Sequence, residues 1–208
     1  MASQKTVGVL LFEGFELLDV FGPLEAWGMH AEIAGACTIV TAAEKAGAVK
    51  SAQGPRAMAD YAFADCPRID VMLVPGGIGT RREVQNAPLL DWLRQRAAHA
   101  EIVSSVCTGA ALLARAGLLD RRRATSNKLS FKWLTEQRPA VEWIRQARWV
   151  EDGKFATSSG VSAGIDMTLA LIARLAGAES AEQVAIRMEY EWHRDPSWDP
   201  FAKIHGLV

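Results

Sequence analysis

A chain of 208 residues, half of them hydrophobic and 23% charged, has the composition of one globular domain spanning 1–208 and excludes a disordered or fibrous polymer. Its formal net charge of -1 gives no electrostatic case for nucleic acid or an anionic membrane as partner. The longest apolar candidate for a membrane span, near Met167 to Leu175, is interrupted by Arg174.

The segment Met1 to Thr6 has no long apolar stretch and no cleavage site, so a cytoplasmic start is expected. Strand and helix patterns then alternate. Val7 to Phe12 reads as a buried strand, and Leu17 to Trp27 as a loop entering a helix with Pro23 in its first turn. Cys37 to Thr41 is a second strand, Gly47 to Met58 has hairpin character around Gly54-Pro55, and Asp70 to Val74 is an apolar strand ending in Pro75-Gly76-Gly77. Pro88 to Ala98 has helical spacing. Arg121-Arg122-Arg123 reads as a solvated loop, Arg123 to Ser126 as a strand, and Ser130 as the N-cap of a helix to Glu136. Asp152-Gly153 between two alternating runs signals a hairpin. Helices over Ser162 to Ala176 and Ala181 to Glu191 close the pattern, followed by an aromatic-rich tail. Strands separated by helices imply an α/β fold, a mostly parallel sheet with helices on both faces.

Ligands of such sheets collect beyond the carboxyl ends of the strands. Three segments end at that edge: Glu13 to Pro23, Pro75 to Gly79, and Ser105 to Gly109. The last carries Cys107 at the change from strand to helix period. A side chain on so tight a turn is lifted clear of the sheet, and the N–H groups of the new helix favour its thiolate. The opposing reading is a packing cysteine, since free cysteines are often buried. Cys37 and Cys66 have no basic partner nearby in sequence and read as inert. An odd, widely spaced set of three cysteines offers neither a disulfide framework nor a metal-ligand spacing.

Val74-Pro75-Gly76-Gly77, Ser105-Val106-Cys107-Thr108-Gly109 and Leu18-Asp19-Val20-Phe21-Gly22-Pro23 occur in the order and spacing of the DJ-1/PfpI superfamily, which the chain resembles over nearly its whole length. Within it the chain is most similar to the isocyanide hydratase branch, which shares the S-V-C-T-G elbow and an aspartate in an L-D-x-x-G-P loop. The resemblance implies a flavodoxin-like three-layer sandwich, a homodimer, no cofactor or metal, and a lyase activity on a small molecule. Cys107 would add to the terminal carbon of R–N≡C, Asp19 would move the proton and position water, and an N-substituted formamide would leave. A nucleophile and an acid are what that chemistry needs. Backbone N–H groups of Gly77, Ile78 and Thr108 are the candidate anion stabilisers. Each has a plain structural counterpart: Asp19 as a helix cap, Pro75-Gly76-Gly77 as a turn, Thr108 as a first helical residue.

Asn127 stands where relatives commonly have histidine, which disfavours a Cys–His dyad. His193-x-Asp195 resembles the His-x-Glu of class I glutamine amidotransferases but follows a helix and reads as part of a packing tail. Glu13 and Glu16 read as solvated loop carboxylates. The competing functions are a DJ-1-like enzyme acting on reactive aldehydes and a redox sensor in which Cys107 is oxidised reversibly. Related domains also precede helix-turn-helix regions in regulators. The end at Val208 leaves no room for one, so a DNA-binding regulator is not expected.

Overall fold

The computed structural model describes residues 4–35 and 37–208. Apolar β-branched runs form the centre of a seven-stranded sheet, and the chain enters it with β1 (Lys5–Leu10), helix α1 (Leu17–Ala34) and β2 (Cys37–Ala43). A hairpin of β3 (Gly47–Lys50) and β4 (Arg56–Ala59) precedes the short β5 (Tyr61–Ala62). Then come β6 (Val71–Val74), α2 (Thr80–Glu83), α3 (Ala87–His99), β7 (Ile102–Ser105) and α4 (Gly109–Arg115). A small parallel pair, β8 (Arg123–Ala124) and β9 (Glu142–Trp143), brackets α5 (Phe131–Gln137). The hairpin β10 (Trp149–Asp152) and β11 (Phe155–Ser158) leads to α6 (Ala163–Ala176), α7 (Ala178–Arg187) and a final turn, α8 (Phe201–Ile204).

The sheet order is β10-β11-β7-β6-β1-β2-β5, parallel throughout except for the edge strand β10. One helical group, α1, α6 and α7, packs together, while α2, α3 and α5 gather on α4. The result is a three-layer α/β sandwich with a flavodoxin-like parallel sheet. Val7, Val9, Val71, Leu73, Ile102 and Val103 are almost wholly buried, as strands covered on both sides must be. No described helix is long and apolar enough to cross a membrane.

Two boundaries differ from the sequence reading for physical reasons. Helix α1 begins at Leu17, so Pro23 lies inside it, not in its first turn. Proline lacks an N–H and leaves the carbonyl four residues earlier, that of Asp19, without its helical donor. Helix α7 starts at Ala178 and stops at Arg187, where Glu189 turns into a left-handed conformation at φ 48°.

The tail is stitched to the domain by a buried network. Arg148 Nε donates to Asp166 Oδ2 at 2.6 Å, Tyr190 Oη donates to the same oxygen at 3.2 Å, and His193 N–H donates to Oδ1 at 2.9 Å. Arg148 N–H in turn donates to Pro196 O at 2.7 Å. Asp166 is fully buried, so its charge depends on these donors. Arg148→Met should lower the free energy of unfolding by about 3–5 kcal/mol, and Arg148→Met with Asp166→Leu should recover much of the loss, both measured by urea denaturation.

Candidate active site

Strand β7 runs between β6 and β11, with Ser105 in register with Val74 on one side and Thr157 on the other. Val106 N–H donates to Val74 O at 3.1 Å, and Cys107 then turns at φ 56° before α4 begins. A left-handed backbone costs a residue with a Cβ about 1–2 kcal/mol. Three hydrogen bonds hold it there. Cys107 N–H donates to Ser159 O at 3.2 Å, Ser126 Oγ donates to Cys107 O at 2.6 Å, and Gly109 N–H donates to Val106 O at 3.0 Å. At about 1 kcal/mol net each, they offset the strain.

Asp19 occupies the first turn of α1 and is fully buried. Its Oδ2 accepts the Gly76 N–H at 2.8 Å, while Oδ1 is buried without a hydrogen-bond partner. The carboxyl and the Cys107 thiol are near enough for each to act on the protonation of the other. Asp19 is therefore not a helix cap; Glu16 holds the N-cap position, without a side-chain bond to the helix.

Burial pushes the Asp19 carboxyl well above the usual carboxylate range; the Gly76 N–H pulls it down and the Glu16 carboxylate adds to the push. The α1 dipole also favours the carboxylate, but by only about 0.3–1 kcal/mol, whereas burying the charge costs several kcal/mol. Burial likewise pushes the Cys107 thiol well up, the Asp19 carboxylate pushes it further, and the Thr108 N–H pulls it down. The expected thiolate preference at the helix start is thus outweighed by desolvation. Because each anion opposes the other, the pair favours holding one proton over holding none.

The loop after β6 wraps this pair. A Cβ on Gly76 would lie 2.5 Å from Thr108 N and 2.9 Å from Asp19 Oδ2, and Gly77 takes φ 119° against the backbone of Gly14 to Glu16, so both positions require glycine. Thr108 Oγ1 accepts the Gly77 N–H at 3.0 Å and a bond from Thr80 Oγ1 at 3.1 Å. Gly77 is therefore not a free donor, and the Thr108 hydroxyl fastens the loop to the elbow. The N–H groups of Ile78 and Thr108 donate to no backbone oxygen among the described residues, and the Thr108 N–H acts on the Cys107 sulfur.

Sequence reasoning missed several supporting residues. Ser126 and Ser159 clamp the elbow, and Thr80 clamps the loop. Arg81 stacks its guanidinium 3.3 Å from the Trp133 ring centre and donates to Ser130 Oγ at 3.1 Å. The basic residues directly after the glycine loop were the available signal for Arg81; no local pattern marks the serines. Ser130 does not cap α5 with its hydroxyl, and its own N–H donates to Asn127 Oδ1 at 3.0 Å.

Cys37, Cys66, Glu13, His193 and Asp195 hold structural roles, while Glu16 also reaches the pair through its charge. Burial pushes the thiols of Cys37 and Cys66 up. Glu13 Oε1 accepts the Lys50 N–H at 3.2 Å, and Glu16 Oε1 accepts from Gln53 at 2.6 Å. His193 stacks on Trp198 at 4.5 Å, and the Asp195 carboxylate binds Ser197, so they form no dyad.

A cysteine on a left-handed turn between a central parallel strand and a helix, with a buried carboxyl near it, defines an α/β protein with a strand–elbow–helix site. Residues 5–174 match the DJ-1/PfpI family, and the chain belongs to that family. It is 34% identical to an isonitrile hydratase of Pseudomonas putida over 185 residues, which cover 88% of this chain and 78% of that protein. It is 28% identical over 191 residues to the HTH-type transcriptional regulator GbdR of Pseudomonas aeruginosa, covering 91% of this chain and 52% of the regulator, about half its length. Among solved structures, a ThiJ/PfpI family protein from Pseudomonas syringae superposes with a TM-score of 0.83 at 30% identity, over 95% of this chain and 78% of that one. Drosophila melanogaster DJ-1beta shares the fold, with a TM-score of 0.78 at 21% identity over 91% of this chain and all of that one.

The raised Asp19 carboxyl sets a pH-dependent cost. Below an ordinary carboxylate pKa of about 3.9 the group is neutral folded and unfolded, with no penalty. As pH rises from there through the raised folded value, the unfolded chain ionises first and stability is lost. Asp19→Asn, always neutral and able to accept the Gly76 N–H, should melt higher than wild type at pH 7, with the gain shrinking toward pH 4 in thermal scans.

Proposed function

We propose that this protein is an isocyanide hydratase, converting R–N≡C and water to R–NH–CHO with Cys107 as nucleophile and Asp19 as proton carrier. The observation that carries the reading is the buried thiol–carboxyl pair, in which Asp19 Oδ1 has no hydrogen-bond partner among the described residues. The identity to an isonitrile hydratase supports the substrate class.

In this mechanism Asp19 Oδ1 takes the thiol proton, giving the pair its one-proton form with sulfur anionic. The thiolate adds to the terminal isocyanide carbon, forming the C–S bond, and the neutral carboxyl returns the proton to the carbanionic carbon. The product is a thioimidate, R–N=CH–S–Cys107. Water gives one proton to the Asp19 carboxylate as its oxygen adds to that carbon, and Asp19 passes this proton to the nitrogen, giving R–NH–CH(OH)–S–Cys107, whose hydroxyl proton returns to Asp19 on collapse. Collapse of the adduct breaks C–S, frees the thiolate and releases the formamide. The N–H groups of Ile78 and Thr108 are assigned to stabilise the negative charge that develops in these steps.

The reading includes a homodimer. Leu18 and Phe21 are 42% and 46% exposed, and Ile78 and Leu129 are 66% and 77% exposed, all on segments that carry site residues. A second copy covering them would remove apolar surface from water and shield the site. Light scattering coupled to size exclusion should return twice the mass of 22.6 kDa.

Hydration of an aromatic isocyanide, followed by loss of substrate and appearance of formamide, tests the activity. Turnover should vanish in Cys107→Ser and fall at least about a hundredfold in Asp19→Asn, the range of positioned acid–base catalysis. The pH profile of kcat/KM should be bell-shaped, because only the one-proton form of the pair is productive. Absence of turnover in wild type with a free, reduced Cys107 would overturn the reading in favour of an aldehyde substrate or a redox role.

A further inference from the structure

Among the described residues Arg81 is a cation without a carboxylate partner, and it lies on the short helix that follows the glycine loop of this site. Residue 80 is bonded to Thr108 through the two threonine hydroxyls at 3.1 Å, which fixes the start of α2 against the residue after the nucleophile. Arg81 itself reaches the opposite support of the elbow. Its Nη2 donates to Ser130 Oγ at 3.1 Å, Ser130 is tied to Asn127, and the adjoining Ser126 holds Cys107 O.

The guanidinium lies flat on Trp133, which shields one face. Nη1 is buried and makes no hydrogen bond, and no carboxylate pairs with Arg81 among the described residues. The nearby Lys128 is neutralised by Asp199 at 3.1 Å. Burial pulls the Arg81 guanidinium down, and the charge at the Cys107 sulfur pushes it back up.

We infer that Arg81 is a specificity-determining residue that binds a carboxylate on the substrate, so that the preferred isocyanides are isocyano-carboxylic acids. A planar, permanently charged donor with one vacant nitrogen suits a carboxylate oxygen. One unpaired positive charge neutralises a monoanion, whereas a phosphate dianion needs more cations than the site offers. A carboxylate held there satisfies Nη1 and keeps the reactive carbon at the sulfur. The inference rests on Cys107 being the nucleophile of the proposed reaction.

The test uses two matched pairs of probes. Iodoacetate and iodoacetamide both alkylate the thiolate, the C–S bond forming as C–I breaks and iodide leaves, and differ in one carboxylate charge. Modification of Cys107 is timed by mass spectrometry, and each rate is divided by that of glutathione under the same conditions. The normalised acid-to-amide ratio should be about tenfold in wild type and should collapse toward one in Arg81→Gln, with Arg81→Lys between them; melting curves check that each variant is folded. Isocyanoacetate and methyl isocyanoacetate form the second pair. The acid should have the lower KM by about tenfold, and Arg81→Gln should erase that preference whatever it does to the ester.

A ratio near one in wild type, or a preference that survives Arg81→Gln, overturns the inference. An Arg81-dependent alkylation ratio in a protein that hydrates neither isocyanide sustains the carboxylate subsite and overturns the hydratase reading alone.

Discussion

The left-handed backbone at Cys107 is the constraint on which the site depends. A side chain at φ 56° persists only where neighbours over-determine it, and here the sheet order supplies them. Placing β7 between β6 and β11 puts Val74 O and Ser159 O on either side of the elbow, where they accept from Val106 and Cys107. Ser126, delivered by the segment after β8, closes the third side. Moving β7 to an edge would remove one of the two acceptors and leave the turn free to relax.

Burial decides the electrostatics of the pair. Helix dipoles at α1 and α4 favour anions at Asp19 and Cys107, but both groups are desolvated and lie within reach of one another, so two adjacent buried anions are the least stable arrangement. One shared proton relieves both terms at once. The Gly76 N–H fixes which carboxyl oxygen is engaged and leaves Oδ1 buried without a hydrogen-bond partner among the described residues.

The alternation of apolar strands and helical spacing makes the layer architecture legible, because buried parallel strands show continuous apolar runs and each helix shows its own stripe. The Asp152-Gly153 hairpin is equally plain, with Gly153 at φ 61°. Cys107 is legible because a period change marks its turn, and Asp19 through its motif. The clamps are not. Ser126 and Ser159 contribute one hydroxyl and one carbonyl whose importance depends on tertiary distances, and a serine or a backbone oxygen carries no positional signature. The engagement of the Gly77 N–H by Thr108 is hidden for the same reason: it depends on two loops 31 residues apart meeting. The start of α1 is misread because Pro23 suggests a first turn, while burial of Asp19 and Val20 against the core draws the helix back to Leu17.

Residues beyond the family match at 174 still bear on the elbow. Lys128 and Asp199 are 3% and 4% exposed and form an ion pair, while Lys128 Nζ also donates to Thr125 Oγ1 at 2.7 Å. Desolvating two charges costs several kcal/mol per ion, so the contact is a poor source of net stability, yet separating it leaves a buried charge uncompensated. Its effect is therefore geometric. The tail cannot lift without exposing Lys128, and Lys128 cannot move without disturbing Thr125 and the adjoining Ser126, whose hydroxyl holds Cys107 O. With the Arg148–Asp166 network anchoring the same tail at Pro196 and His193, the C-terminal segment acts as a strap over the loop that clamps Cys107.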